Sequence, residues 1–472
     1  MASLSYDEAA HLLRRAGFGG SPEEIDDLSS KGRESAVDYL INFTQIDNSS
    51  MQSLLTASFD FSEPANNDKF NNGEIRRWWM TRMVATKRQF EEKMTLFWHN
   101  HFATSSSKVQ DVFMYNQNVL LRANSLAKFD DLLLKVAQDA AMLIWLDGIT
   151  NVLGKPNENF GRELQELFTM GINDVVSGDQ NYTEQDVKEV ARAFTGWDYQ
   201  RRPPFTFQVK NNQHDNGTKT IYGQQGNFSG EDVISIISAR AATARYLTWK
   251  LFNFFVYPIT TSSADKNTID KFSKVYLNNN HSIKELVRAI FTSDEFYSSR
   301  AFFSLVKQPV ELVVGAVRML GGTYNPGSTL AANPRTSNTL AASSRAMGQD
   351  LFGPPDVAGW DMNLAWVNTA SMLERFNFAN TYLTNRNTTN PGVFVTADQL
   401  KSITKPASKK TVKKFLARLG PLNTETLSTL RSYLETGDNG QPVEFVKDDP
   451  TIDKKIRGLV QQIMCLPEFQ LN

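Results

Sequence analysis

The chain has 472 residues, with 50 Lys and Arg against 51 Asp and Glu, and 41% of its residues are hydrophobic. That length supplies a large core and, at roughly 150 residues per domain, room for about three domains. The charge balance argues against a nucleic-acid-binding protein and against an acidic disordered chain; the single cysteine, Cys465, excludes an internal disulfide framework, a Cys-rich zinc finger, a self-contained iron–sulfur cluster and a CxxCH haem c site.

In chain order, residues 6–17 read as an amphipathic helix with Ala9, Leu12, Leu13 and Ala16 on one face, stopped by the glycines of 17–20. This N-terminal stretch has no apolar signal-peptide core, and none follows Arg14-Arg15 as a twin-arginine signal would require. Ser21, Pro22 and Glu24 then open a second helix as N-cap, first helical residue and capping-box partner. Residues 46–73 are polar, Asn-rich and aperiodic and read as a loop. A helical block follows at 74–86, 88–102, 110–126 and 128–146, then helices at 158–171 and 183–196, the last capped by Thr183 and Asp186. Period-two alternation appears only at 205–209 (FTFQV) and 218–222 (TKTIY), which predicts one small β-hairpin near 205–222. Helices resume at 230–256, 265–277, 281–292, 307–320 and 339–351, with a loop at 323–338. The most apolar run, 249–257 (WKLFNFFVY), falls short of the ~18 residues of a membrane helix, so the chain reads as soluble.

The expected fold is therefore all-α, a multi-helix body with one hairpin. Residues 1–384 form the main body, 385–410 a linker and 411–472 a C-terminal helical appendage. The run 401–414 holds six lysines and no acid; it reads as a solvated face and as the first place trypsin should cut. Residues 286–297 (LVRAIFTSDEFY) are echoed at 459–470 (LVQQIMCLPEFQ), each a helix end followed by a turn and an aromatic plug.

There is no Gly-rich phosphate loop, no GxSxG elbow and no HExxH. Chemistry then rests on polar groups set in apolar helical sequence. In 93–105 (KMTLFWHNHFATS), His99 and His101 lie among Phe97, Trp98 and Phe102. Positions two apart on a helix point about 200° from each other. The two rings meet at one site only if the helix frays after His99; otherwise one is a core histidine bonded to a carbonyl. In 157–171 (NENFGRELQELFTMG), Arg162 is four residues from both Glu158 and Glu166, and Glu163 is three from Glu166. Carboxylates so spaced can share a metal, or divide acid and base roles when their surroundings separate their pKa values. The alternative is a salt-bridge ladder around Arg162. Glu163 lies beside the apolar face formed by Phe160, Leu164, Leu167 and Phe168. In 212–217 (NQHDNG), His214 and Asp215 offer a His–carboxylate pair on a loop, with ordinary turn chemistry as the alternative. Asp186, Glu189 and Arg192 read as capping and surface pairing.

Together these segments resemble the bacterial family designated domain of unknown function 1800. The matching runs are AAHLLRRAGFGG, KMTLFWHNHFATS, AMLIWLDG, NENFGRELQELFTMG, YTEQDVKEVARAFTGW, HDNGTKTIYG, VKQPVELVVGAVRMLG and MGQDLFGPPDVAGWD. They extend from residue 9 to about residue 380. The resemblance implies a mostly helical protein of a family whose members are often exported, hence an envelope or extracellular role. It also implies a partner resembling a secreted sulfatase or phosphatase. The family's characteristic polar positions correspond to His99, His101, Asp147, Asn157, Glu158, Arg162, Glu163, Glu166, Trp197, His214 and Asp215, and no catalytic role comes with them.

Two functions are expected on this basis. One is an enzyme whose catalytic residues are Glu163, Glu166, His101, His214 and Asp215, with a divalent metal held by His99, His101 and Glu163; histidines and carboxylates without cysteine suit Zn, Fe or Mn. The other is a non-catalytic helical scaffold for the assembly or export of a secreted partner.

Overall fold

The aromatic run at 89–101 becomes the hub of the molecule. In a computed structural model, which describes residues 3–61, 71–327, 339–386, 392–403, 424–436, 440–441 and 452–472, the Gln89–His101 helix buries eleven of its thirteen residues. A helix covered on every side lies inside the core rather than upon it. Phe97 meets Phe254 edge to face at 5.2 Å, and Trp98 stacks on Phe102 at 5.5 Å. One hydrophobic core runs from Leu4 to Phe469 through nearly all the helices.

Helix starts follow their local signals. Ser21 and Glu24 form the expected capping box, as do Thr183 and Asp186. Where long helices were expected, the chain breaks twice. Residues 128–146 divide into Phe129–Ala137 and Ala140–Trp145 at Asp139, whose side chain caps the second helix. Residues 230–256 divide into Gly230–Ser238 and Ala241–Phe255. The loop expected at 46–73 contains a helix, Ser49–Ser58, because Met51 and Leu55, one turn apart, both reach the core. Two buried apolar positions in a polar helix are too few to register as a period.

The small sheets correct the expected hairpin pairing while leaving the mostly helical class intact. Both alternating runs are strands, but they do not pair with each other. β1 (Trp197–Tyr199) pairs antiparallel with β2 (Phe207–Val209), and β3 (Lys219–Ile221) with β4 (Gln224–Gly226). A third pair joins β5 (Thr323–Asn325) to β6 (Gly392–Phe394). Within 385–410, β6 and the Ala397–Ile403 helix are described, and the lysine-rich run from 404 to 414, with its expected trypsin sites, lies outside the described residues. Near the C-terminus the Arg457–Cys465 helix packs on Thr369–Thr384, where Arg457 donates to the Leu383 carbonyl at 3.0 Å. The two echoing segments end alike. Phe296 and Phe469 are both buried, and their carbonyls accept from the buried side chains of His11 and Lys307 respectively.

Candidate functional site

The segment bearing the paired carboxylates is not a plain α-helix. Asn159–Glu163 is α-helical and passes into a π-helix at Leu164–Thr169. Tertiary partners explain the widening. Gly161 lies against the Glu184–Ala193 helix so closely that a Cβ would stand 3.2 Å from the Ala191 nitrogen. One turn on, Gln165 is fully buried; it donates to the Gly161 carbonyl at 2.7 Å and accepts from the Tyr222 hydroxyl at 2.9 Å. The Met170 N–H then bonds to the Gln165 carbonyl at 3.0 Å, five residues back. Leu164, Gln165, Phe168 and Thr169 face inward, and Glu163 and Glu166 remain half-buried. Single π-turns of this kind recur at functional sites.

The two carboxylates differ in their surroundings. Glu166 accepts a hydrogen bond from the Tyr182 hydroxyl at 3.2 Å. The Glu163 side chain has no hydrogen bond or ion pair among the described residues. Burial pushes its pKa up, the neighbouring Glu166 charge adds to this, Arg162 opposes it, and Asp356 raises it further. The expected ladder forms only in part. Arg162 reaches Glu158 at 3.3 Å, but its bidentate partner is Glu184 on the next helix, at 2.8 Å through both nitrogens. Tyr182, Glu184 and Asp356 were not singled out from the sequence, because their places at this turn depend on tertiary packing.

His99, Asn100 and His101 act as three staples. The His99 Nε2 accepts from the Phe352 N–H at 3.1 Å. The ring is therefore neutral at that nitrogen, and burial lowers its pKa to about 3. Asn100 accepts from the Trp360 N–H at 2.7 Å. His101 bonds through Nε2 to the Phe168 carbonyl at 3.0 Å. As a carbonyl only accepts, this nitrogen carries the hydrogen, and the ring caps an open carbonyl at the end of the π-helix. Burial, then the charge of Lys250, lower the His101 pKa to about 3, against the Phe168 bond. The two rings thus serve different elements, as their angular separation on an unfrayed helix requires. Among the described residues no three of His, Cys, Asp and Glu are grouped as metal ligands, and neither histidine bonds to Glu163.

Asn100 sets a strict demand on its partner loop. Gly359 has φ +84°, and a Cβ there would lie 2.5 Å from the Asn100 carbonyl oxygen. Gly321 has φ +60° with open space around it. Gly359→Ala is therefore expected to lose about 1–3 kcal/mol for the conformation alone and more for the displaced clamp, whereas Gly321→Ala loses only the first part. Paired denaturation curves measure the difference.

His214 and Asp215 do not pair with each other. His214 donates from Nδ1 to the Thr195 carbonyl at 2.8 Å. Asp215 takes Arg192 in a two-point contact at 2.8 and 3.2 Å, and hydrogen bonding to Arg192 depresses its pKa. Arg192 also holds Glu189 at 2.7 Å. The turn is thereby fixed to the Glu184–Ala193 helix, which in turn backs the Glu163 segment.

A family model described as "Protein of unknown function (DUF1800)" matches residues 11–471. No curated protein and no solved structure matches the chain.

Proposed function

The chain belongs to the DUF1800 family over nearly its whole length, a membership that brings no reaction with it, and we propose from side-chain chemistry that it is an enzyme using general acid–base catalysis at the turn carrying Glu163 and Glu166. The observation that carries this reading is Glu163 itself: a half-buried carboxylate without a partner among the described residues, its pKa raised beside a second carboxylate. Titratable pairs whose surroundings push their pKa values apart divide acid and base roles. Glu163 accepts and returns the proton. Glu166, held by Tyr182, is the neighbouring carboxylate that helps to raise Glu163. His101, His214 and Asp215 are positioning residues in this scheme, the first through Phe168 and the others through Thr195 and Arg192. The family resemblance supports an envelope or extracellular setting, which fractionation of expressing cells would test.

The experiment is Glu163→Gln, assayed with chromogenic esters, phosphates, sulfates and glycosides. Turnover by the wild-type protein should fall about 10²–10⁴-fold in the variant. Stability should move the other way. A carboxyl whose folded pKa is raised destabilises the fold once ionised, an effect absent below the unfolded pKa and fully present above the folded one. Glu163→Gln should thus match the wild type below about pH 4 and equal or exceed it at pH 7–8. Equal turnover, or a large stability loss at neutral pH, would retire the catalytic role. Elemental analysis of both proteins separates a metal-assisted version, in which a stoichiometric divalent ion disappears with the carboxylate.

One observation favours a non-catalytic scaffold as the second reading. Leu364 is 74% exposed, and Val367, Leu373 and Phe376 are exposed nearby in the chain. Exposed apolar side chains gathered in one stretch of chain are what a protein contact would use. On the scaffold reading Leu364→Ser and Leu373→Ser abolish association with a partner and no substrate is turned over.

A further inference from the structure

A cleft of about 450 Å³ lies apart from the Glu163 turn, between the Asp111–Ala123 helix, the break at Asp139 and the connection from β1 to β2. Phe113, Leu120 and Phe205 form its apolar walls, and Asn116, Gln138 and Asp139 its polar lining. The Phe113 and Phe205 rings meet edge to face at 4.9 Å. Phe205 has φ +58°, a conformation that bulky residues avoid and that persists where surrounding structure enforces it. The Asp139 carboxylate is oriented from behind. It accepts from the Gln117 amide at 2.9 Å, and Gln117 accepts from the Thr104 hydroxyl at 2.5 Å; both supporting residues are fully buried.

What the Asp139 carboxylate lacks is a paired cation. Asp139 has no ion pair among the described residues, and the side-chain amides of Asn116 and Gln138 have no hydrogen-bond partner there. Lys135 is the other charged side chain of the lining, and its ammonium donates to Asn124 at 2.5 Å. A carboxylate and two amide oxygens are three acceptors, matching the three N–H donors of a primary ammonium. Aromatic faces beside them attract a cation and cover an apolar body. The volume is that of an ordinary small-molecule site.

We propose that this cleft binds a primary organic ammonium ion with an apolar or aromatic body, with Asp139 as its counter-ion. The uncompensated carboxylate has a matching acid–base property: burial pushes its pKa up to about 7, against hydrogen bonds from Gln117 and the following backbone N–H groups. A bound cation draws the proton off. An alkylammonium stays charged through this range, so affinity rises with pH as Asp139 ionises.

Isothermal titration of the full chain with 2-phenylethylamine, and with 2-phenylethanol as its neutral counterpart, tests this. The amine should bind about tenfold more tightly at pH 8 than at pH 6, following the ionised fraction of Asp139, and the alcohol should bind far more weakly at both. Asp139→Asn keeps a competent helix cap and should lose the amine by tenfold or more, with the pH dependence gone. Asn116→Ala leaves the cap untouched and should weaken the amine several-fold. Melting curves establish that both variants are folded. Failure of the wild type to bind the amine, equal affinity for the alcohol, or wild-type affinity in both variants would overturn the proposal.

Discussion

Glu92→Gln should cost roughly 3–5 kcal/mol, the loss expected when one member of a buried ion pair is removed. Glu92 has no exposed surface. Its carboxylate takes Arg122 at 2.8 and 2.9 Å, Arg82 at 2.9 Å and the Trp79 indole N–H at 2.9 Å. Burial alone would raise its pKa; Arg122 and Arg82 more than reverse this and hold it at about 2. For a carboxyl with a depressed folded pKa, the stabilisation is fully present above the unfolded value and fades as pH falls through the folded one. The wild-type protein should therefore lose about 3 kcal/mol from this group between about pH 4.5 and pH 2. The variant should show no such contribution. Urea denaturation at pH 7, 4 and 2.5 measures both. A loss below about 1 kcal/mol at pH 7 would mean that the cluster is solvated in the folded protein.

Glu311→Gln is expected to be at least as damaging. Glu311 accepts from the Lys93 ammonium, from the Gln308 N–H at 2.9 Å and from the Asn472 amide at 2.8 Å. Arg15, Lys307 and Arg375 are also buried, and Glu311 is the attractive charge that each of them feels. Burial already lowers Arg15 to about 9 and Arg375 to about 10, and drives Lys307 well below the usual lysine range. Without the carboxylate these cations face one another in the core, and the loss should again be roughly 3–5 kcal/mol or more. The gap between variant and wild type moves with pH in the opposite direction from that of Glu92, although both groups have depressed folded pKa values. A buried lysine with a depressed pKa destabilises while charged and is relieved as pH rises from its folded value towards the unfolded one near ~10.4. The gap between variant and wild type should narrow from pH 7 to pH 10. A gap that is small, or that widens over this range, would contradict the assignment.

These two clusters show where sequence reading stops. Capping boxes at Ser21 and Thr183 are local, and three residues suffice to reveal them. The divergence of His99 and His101 follows from helix angles alone, but their partners, Phe352 and Phe168, are about 250 and 70 positions away. Spacing offered Arg162 the carboxylates of Glu158 and Glu166, and a residue on another helix, Glu184, took the better geometry. The π-turn is invisible because 157–171 keeps an unbroken apolar face; the Gly161 contact, the Tyr222 bond to Gln165 and the His101 cap decide the backbone there. Alternation in 205–209 and 218–222 revealed strands and not their partners, since strand periodicity carries no information about which edge is paired. Asp139 lies within a continuous helical pattern and gave no sign that the helix breaks upon it.

If Glu163 is a proton-carrying carboxylate, its own titration shows it. Carbon NMR of protein labelled at the glutamate side-chain carboxyl, compared with labelled Glu163→Gln, isolates that one resonance. A proton-carrying role requires that it titrate clearly above the ~4.3 of an unperturbed glutamate and that the Glu166→Gln background bring it down, because the neighbouring charge is one of the causes of the shift. A Glu163 resonance titrating at or below the ordinary glutamate value, unmoved by Glu166→Gln, would contradict it.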